Sequence, residues 1–253
     1  MGKIISFINQ KGGVGKTTSA INVAASLGVL GHKVVVVDLD PQGNSTSGVG
    51  IAKKNLKVTV NDVISGKCSA DDAVLETNFD NLYVLPSNIS LAGAEFGLYQ
   101  QHDNEYILKN ALEPLRRDYD YVIIDCPPSL GMLTVNAMSA SDGVVIPMQC
   151  EFYALEGLSQ LMITVSRIKQ NYNPDLTITG ILITMYNSRL LLSMQVMAEL
   201  KKHYSDKLFD TPISRGVKLS EAPGFGMPVY YHDKRSKGAS EYMEVAKQLA
   251  ERI

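Results

Sequence analysis

The sequence predicts an α/β fold: a doubly wound, mostly parallel sheet with helices on both faces. Short continuous Val/Ile/Leu runs alternate along the chain with segments of helical period. Unbroken apolar runs, rather than apolar–polar alternation, suit strands covered on both faces. Length is the third observation, because 253 residues can bury a full core as one domain spanning 1–253.

The first strand is expected at Ile4–Ile8, followed by a glycine-rich loop and a helix over Lys16–Leu30. Further strands are expected at Val34–Asp38, Leu82–Leu85, Tyr121–Asp125, Gly143–Pro147 and Ile178–Met185. Helical patterns cover Ile107–Leu115, Leu133–Ala140, Leu155–Ile168 and Met194–Tyr204. In the third of these, Leu155, Leu158, Met162 and Val165 share one face. A last helix is expected over Gly238–Arg252, with Tyr242, Val245, Leu249 and Ile253 on its buried stripe. Pro41–Lys57 and Gly66–Asn81 read as loops or small insertions, and Arg215–Lys237 as an irregular Gly/Pro-punctuated stretch. This order puts ligands at the C-terminal ends of the strands.

Composition is ordinary for a globular protein, 45% hydrophobic and 20% charged, which excludes wholesale disorder. The net charge of −2 is unevenly spread: 11 Lys/Arg face 8 Asp/Glu from Met185 onward, against 13 and 18 before it. A basic last quarter on an acidic body hints at one surface for a polyanion. The three cysteines, Cys68, Cys126 and Cys150, lack C-x-x-C spacing and read as reduced thiols. The N-terminus enters directly into a strand pattern, so neither a signal peptide nor an N-terminal DNA-binding module is expected. No apolar run reaches the roughly 18–20 residues of a membrane span. A cytoplasmic protein is expected. The four histidines show no ligand spacing, and the scattered methionines read as core filling.

The chemistry concentrates after the first strand, in Asn9-Gln10-Lys11-Gly12-Gly13-Val14-Gly15-Lys16-Thr17-Thr18. Glycines let backbone N–H groups turn inward around phosphates, where side chains would obstruct. The following helix adds its N-terminal dipole, Lys16 can reach the β/γ-phosphates, and the Thr17 hydroxyl suits Mg²⁺. These features define a P-loop and a P-loop NTPase fold. Gln10 stands where the usual first glycine would be, and Lys11 is an additional lysine at the start of the loop. Two acidic strand ends join it, Val37-Asp38-Leu39-Asp40-Pro41 and Ile124-Asp125-Cys126-Pro127. Asp125 would act on Mg²⁺ through water, and Asp38 or Asp40 would orient an attacking water.

Five segments together resemble the ParA/Soj chromosome- and plasmid-partitioning ATPases: K-G-G-V-G-K-T-T, V-D-L-D-P-Q-G-N, I-I-D-C-P-P-S-L-G, C-E-F-Y-A-L-E-G and L-S-E-A-P. The resemblance runs from Gly2 to the last helix. It implies an ATPase with ATP and Mg²⁺ as ligands, slow and partner-stimulated. It casts Lys11 as a signature lysine reaching across a homodimer to the partner's nucleotide. Gly12, Gly13, Val14 and Gly15 become the phosphate cradle, and Gly12 would lie where two P-loops approach closely. Lys16 and Thr17 take phosphate and Mg²⁺, and Thr18 the α-phosphate. Asp40, rather than Asp38, positions the hydrolytic water beside the metal, and Asp125 is the second acid of the Mg²⁺ site.

The family implies more: an ATP-sandwiched homodimer that binds double-stranded DNA without sequence preference, is nucleoid-associated, and leaves DNA after hydrolysis stimulated by a ParB-type protein. Arg189, Arg215 and Lys218 match its DNA-contacting positions, with Lys234, Arg235 and Lys237 nearby. One segment departs from the pattern. Relatives often read I-P-R-N-V-R before L-S-E-A-P, whereas this chain has Ile213-Ser214-Arg215-Gly216-Val217-Lys218. Ser214 and Gly216 thus replace the Pro and Asn that line the adenine, with Met185 at a strand end also in reach of the base.

Three other readings compete. A MinD-like membrane-associated ATPase would need a basic amphipathic last helix, but here Glu241, Glu244 and Glu251 interrupt it. A nitrogenase-like iron–sulfur protein would need two cysteines in ligand contexts that neither Cys126 nor Cys150 matches. A nucleotide-locked structural module would have no use for Asp40.

Overall fold

A computed structural model of the protein describes residues 1–99 and 102–253. Seven strands form one sheet: β1 (Lys3–Phe7), β2 (Val34–Asp38), β3 (Leu75–Glu76), β4 (Leu82–Leu85), β5 (Tyr121–Asp125), β6 (Gly143–Gln149) and β7 (Thr177–Thr184). Their order is β3-β4-β2-β5-β1-β6-β7, parallel throughout except for the two-residue edge strand β3. The helices are α1 (Lys16–Val29), α2 (Asn44–Gly48), α3 (Val60–Ile64), α4 (Ala70–Ala73), α5 (Leu91–Tyr99), α6 (Ile107–Leu112), α7 (Leu115–Asp118), α8 (Met132–Ala140), α9 (Ala154–Asn171), α10 (Leu191–His203), α11 (Val217–Glu221), α12 (Val229–His232) and α13 (Lys237–Arg252).

The two-residue period of the strands divides the core. Ile5, Phe7, Val34, Val36, Ile123 and Val145 point to the face covered by α1 and α13. Ile4, Val35, Val37, Val122, Ile124 and Ile146 point to the face that packs on α8 and α9. Each such side chain is fully enclosed, a contribution of about 1.5–3 kcal/mol apiece. Register then aligns the strand ends that matter: Phe7 pairs laterally with Asp125, and Asp125 with Asp38. The loops that follow β1, β2 and β5 therefore leave the sheet side by side.

The expected strands and long helices are present, with shifted ends. β7 stops at Thr184 because Met185 turns into the left-handed region (φ 51°). β6 continues through Pro147 to Gln149; β1 is paired only as far as Val145, so a missing amide donor there is tolerated. The helix expected over Ile107–Leu115 is broken into α6 and α7 at Pro114. The stretches read as loops hold α2, α4 and β3, and the stretch read as irregular holds α11, a 3₁₀ turn at Ala222–Phe225, and α12. The last helix begins one residue earlier than expected, at Lys237, where the Ser236 side chain accepts the Ala239 amide.

Candidate functional site

The P-loop is held from outside as well as by its own glycines. Gly13 (φ 74°) and Gly15 (φ 89°) adopt left-handed backbone that side-chain-bearing residues rarely take. Asn9 ties the loop to β6 by donating Nδ2–H to the Pro147 carbonyl at 2.8 Å, and its Oδ1 accepts the Lys11 amide at 2.9 Å. Thr184 Oγ1 donates to the Val14 carbonyl at 2.7 Å, and Gln149 Nε2 donates to the Gly13 carbonyl at 2.8 Å. With carbonyls drawn outward, α1 begins with no side-chain cap on its N-terminus. Its first amides stay available to an anion, in the field of the helix dipole.

Lys16 is buried and donates back to the Lys11 carbonyl at 3.1 Å. Burial draws its ammonium below the ordinary lysine range, against the pull of Asp125, Cys126 and Asp40. Around it stand the three strand-end carboxylates. Asp38 is consumed by the fold: its Oδ2 accepts both the amide and the hydroxyl of Thr46 at 2.7 Å, capping α2, and its Oδ1 accepts the Asp40 amide at 3.3 Å. Asp40 differs, since Oδ1 accepts only the Gln42 amide at 2.9 Å. Asp125 accepts the Ser45 hydroxyl at Oδ2 (2.8 Å), while its Oδ1 is buried with no partner.

An orphaned carboxylate oxygen beside Thr17 and Lys16 is costly unless something completes it. A hydrated divalent cation fits: Mg²⁺ keeps several waters and takes few protein ligands. Thr17 would be its direct contact, and Asp125 would hold a metal-bound water. Among the described residues no cluster of three or more His, Cys, Asp and Glu is set to hold a metal by itself.

Burial, reinforced by the charge of Asp38, pushes Asp125 up to about 7, against the nearby Thr17 hydroxyl, which is not within hydrogen-bond geometry of it, and the bonded Ser45 hydroxyl. Burial likewise pushes Asp38 up to about 6 despite the bonds from Thr46. Both acids thus retain protons in the fold that the unfolded chain has released. Their protonated stability is full below the ordinary carboxylate range and is lost as pH rises through the folded values. In nucleotide-free protein with chelator, Asp125→Asn should melt above the parent near about pH 8, and the gap should close toward pH 4. Differential scanning calorimetry across that range would reject this if the gap were constant.

A cleft of about 330 Å³ lies beyond the helix end, lined by Gly15, Thr18, Met185, Ser214, Gly216 and Tyr242. The sequence-selected base residues are therefore together, but the Ser214 side chain is turned away from the cleft. Its N–H and Oγ–H donate to the two carboxylate oxygens of Glu241 at 2.8 and 2.7 Å. Next to the cleft a larger groove, about 820 Å³, is lined by Arg189, Arg215 and Lys237 among others. Arg189 and Arg215 are exposed within it. Lys218 is not in that groove, and it is paired with Glu221 at 3.0 Å.

Lys11 is exposed and folded back onto Glu151 of its own chain as an ion pair. Cys126 is fully buried and Cys150 half-buried. Glu151, Gln149, Thr184 and Glu241 were not singled out as site residues by sequence reading. Only Glu151 carried a signal, through its place in the C-E-F-Y-A-L-E-G segment.

Residues 2–178 match the family model described as an AAA domain. The sporulation initiation inhibitor protein Soj of Bacillus subtilis is 51% identical over 99% of each chain. The chromosome partitioning protein ParA of Myxococcus xanthus is 46% identical over 100% of this chain and 89% of its own. Among solved structures, a cobyrinic acid a,c-diamide synthase of Mycobacterium smegmatis with bound ADP and magnesium has a TM-score of 0.85. It is 39% identical over 98% of this chain and 93% of that one.

Proposed function

The chain belongs to the ParA/Soj family of partitioning ATPases, and on that footing we propose that its ATP-bound form is a sandwich homodimer. That dimer holds double-stranded DNA non-specifically over the nucleoid and leaves it after hydrolysis stimulated by a ParB-type partner. ATP and Mg²⁺ are its ligands. The observation that carries the nucleotide and Mg²⁺ part of the reading is the buried Asp125 oxygen without a hydrogen-bond partner, beside an uncapped helix N-terminus and a buried lysine; the dimer, DNA and partner rest on the family.

In this reading the amides of Gly12 to Thr18 hold the phosphates, Lys16 leaves the Lys11 carbonyl for them, and Thr18 reaches the α-phosphate. Thr17 and Asp125 hold the metal shell. The chemistry that a bound Mg²⁺ supplies is neutralisation of charge on the transferring phosphoryl group. Asp40, near the metal, uses its unengaged oxygen to orient the water. Met185, Ser214 and Gly216 wall the base, with backbone groups doing the recognition. Asp40 and Lys11 sit on either side of the reacting centre, one from each subunit.

The dimer reading is supported by the surface around Lys11. A Cβ on Gly12 would meet nothing closer than Pro128 Cβ at 4.0 Å, and Gly12 has no positive φ. The lone chain would thus accept a side chain at position 12, and a requirement for glycine there would have to come from outside it, from a nucleotide or a second subunit. Phe152 and Tyr153, 75% and 72% exposed, lie just after Glu151. Exposed adjacent aromatics are typical of interface cores.

A MinD-like attachment to a bilayer surface is less well supported. The apolar stripe of α13, with Ala239, Tyr242, Val245, Ala246 and Leu249, is packed on α1, where Ser19 Oγ meets Tyr242 OH at 3.0 Å. No helix among the described residues is long and apolar enough to cross a membrane.

DNA retention tests the proposal. The parent with ATP and Mg²⁺ should be held on double-stranded DNA with affinity falling steeply as salt rises. Arg189→Glu should weaken that binding about tenfold or more at near-physiological salt while ATP binding persists. Unchanged retention would remove Arg189 from the interface, and parent protein that ignores DNA in every nucleotide state would overturn the reading.

A further inference from the structure

The base cleft and the basic groove share a wall. Met185, Ser214 and Arg215 line both cavities. Glu241 lies on the groove side of that wall, 8% exposed, on a face of α13 whose other buried residues are mostly apolar. It receives both hydrogen bonds of Ser214, so this wall is pinned to α13 by one carboxylate. Tyr186, next to Met185, pairs with the same segment: its amide donates to the Ile213 carbonyl at 2.9 Å.

A carboxylate is an odd lining for a groove that takes a polyanion. The groove sets three cations, Arg189, Arg215 and Lys237, against two acids, Asp210 and Glu241. Lys237 Nζ stands 3.5 Å from Glu241 Oε1, on a largely exposed side chain. Such a pair is weakly held, and an incoming phosphate would compete for the lysine. The carboxylate then faces that phosphate uncompensated, unless Ser214 keeps it turned toward the wall.

We propose that Glu241 is a positioning residue that couples the two cavities: it holds the Ser214 wall of the base cleft, and through that bond its charge decides how readily the groove takes a nucleic-acid phosphate. A base seated against residues 214–216 fixes Ser214, Ser214 fixes the carboxylate, and Lys237 is released to the phosphate. Without a base behind it, the wall is held by the two Ser214 bonds alone, and the carboxylate turns against the phosphate more readily. Coupling of this kind is reciprocal, so DNA raises nucleotide affinity by the factor by which nucleotide raises DNA affinity. This rests on the DNA-binding reading of the groove.

Glu241→Gln isolates the charge, because a glutamine amide can still bond the Ser214 amide and hydroxyl. Affinity for double-stranded DNA would be measured with and without ATP and Mg²⁺, and affinity for a fluorescent ATP analogue with and without DNA. Light scattering would follow dimerisation in parallel. In Glu241→Gln, DNA binding without nucleotide should strengthen, and both coupling factors should fall together by about fivefold or more, with ATP-dependent dimerisation retained. Ser214→Ala should weaken the coupling without strengthening nucleotide-free DNA binding, since the charge remains; it also serves if the first variant folds poorly. Parent-like coupling in both variants overturns the proposal while leaving DNA binding intact. A parent that binds no DNA overturns the proposal together with the reading beneath it.

Discussion

Asp40→Ala protein should bind ATP with near-parental affinity and turn it over about 10²–10⁴-fold more slowly, the range for losing a group that orients or deprotonates the nucleophile. The geometry separates the two effects. The Asp40 carboxylate makes one backbone bond, to the Gln42 amide, while the phosphate cradle is built from glycine backbone, Lys16 and the α1 N-terminus. Removing the carboxylate leaves that cradle standing. Its neighbour Asp38 would behave otherwise: with both oxygens engaged on Thr46 and the Asp40 amide, its loss unpins α2 and acts through folding. Phosphate release and equilibrium binding of a fluorescent ATP analogue check the split. Parental turnover in Asp40→Ala would take the water-orienting role away from Asp40, and background phosphate release from parent and variant alike would favour a structural module in which nucleotide locks the fold without being consumed.

The nucleotide half of this site was legible in the sequence because its parts are local. Gly13 and Gly15 announce left-handed backbone, and apolar runs ending in Asp38 and Asp125 announce buried parallel strands with acids at their C-terminal ends. What stayed hidden is what tertiary contact makes. The α2 helix, Asn-Ser-Thr-Ser-Gly, has no apolar period; it exists where Asp38 caps Thr46 and Asp125 takes the Ser45 hydroxyl. Helices α11 and α12 are one-turn pieces fixed by neighbours, such as the Asn22 side chain accepting the Val229 amide at 2.7 Å. Ser214 read as a lost adenine contact, when its bonds run to a glutamate 27 positions away. Spacing cannot reveal such a pair, because neither residue is informative alone.

Lys11→Ala should cost as much turnover as Asp40→Ala or more, because a cation delivered to the transition state from a partner subunit is worth about 10³–10⁵ in rate. In the structure its ammonium is engaged by Glu151, an exposed pair that constrains little but keeps the charge off its own P-loop. The pair holds the lysine away from its own P-loop, in keeping with the proposal that it acts in trans. The consequence is sharper than the loss itself. In a dimer of one Lys11→Ala subunit and one Asp40→Ala subunit, the nucleotide on the first keeps its own Asp40 and receives Lys11 from the second. One of the two sites is then complete. Equal mixing of the two inactive proteins should restore about a quarter of parental turnover, since about half the dimers are mixed and each has one working site. Were Lys11 to act on its own nucleotide, no combination would contain an intact site and the mixture would stay as inactive as its parts. Phosphate release from the mixture, at protein concentrations where light scattering shows dimers, distinguishes the two cases without any assumption about DNA or partner.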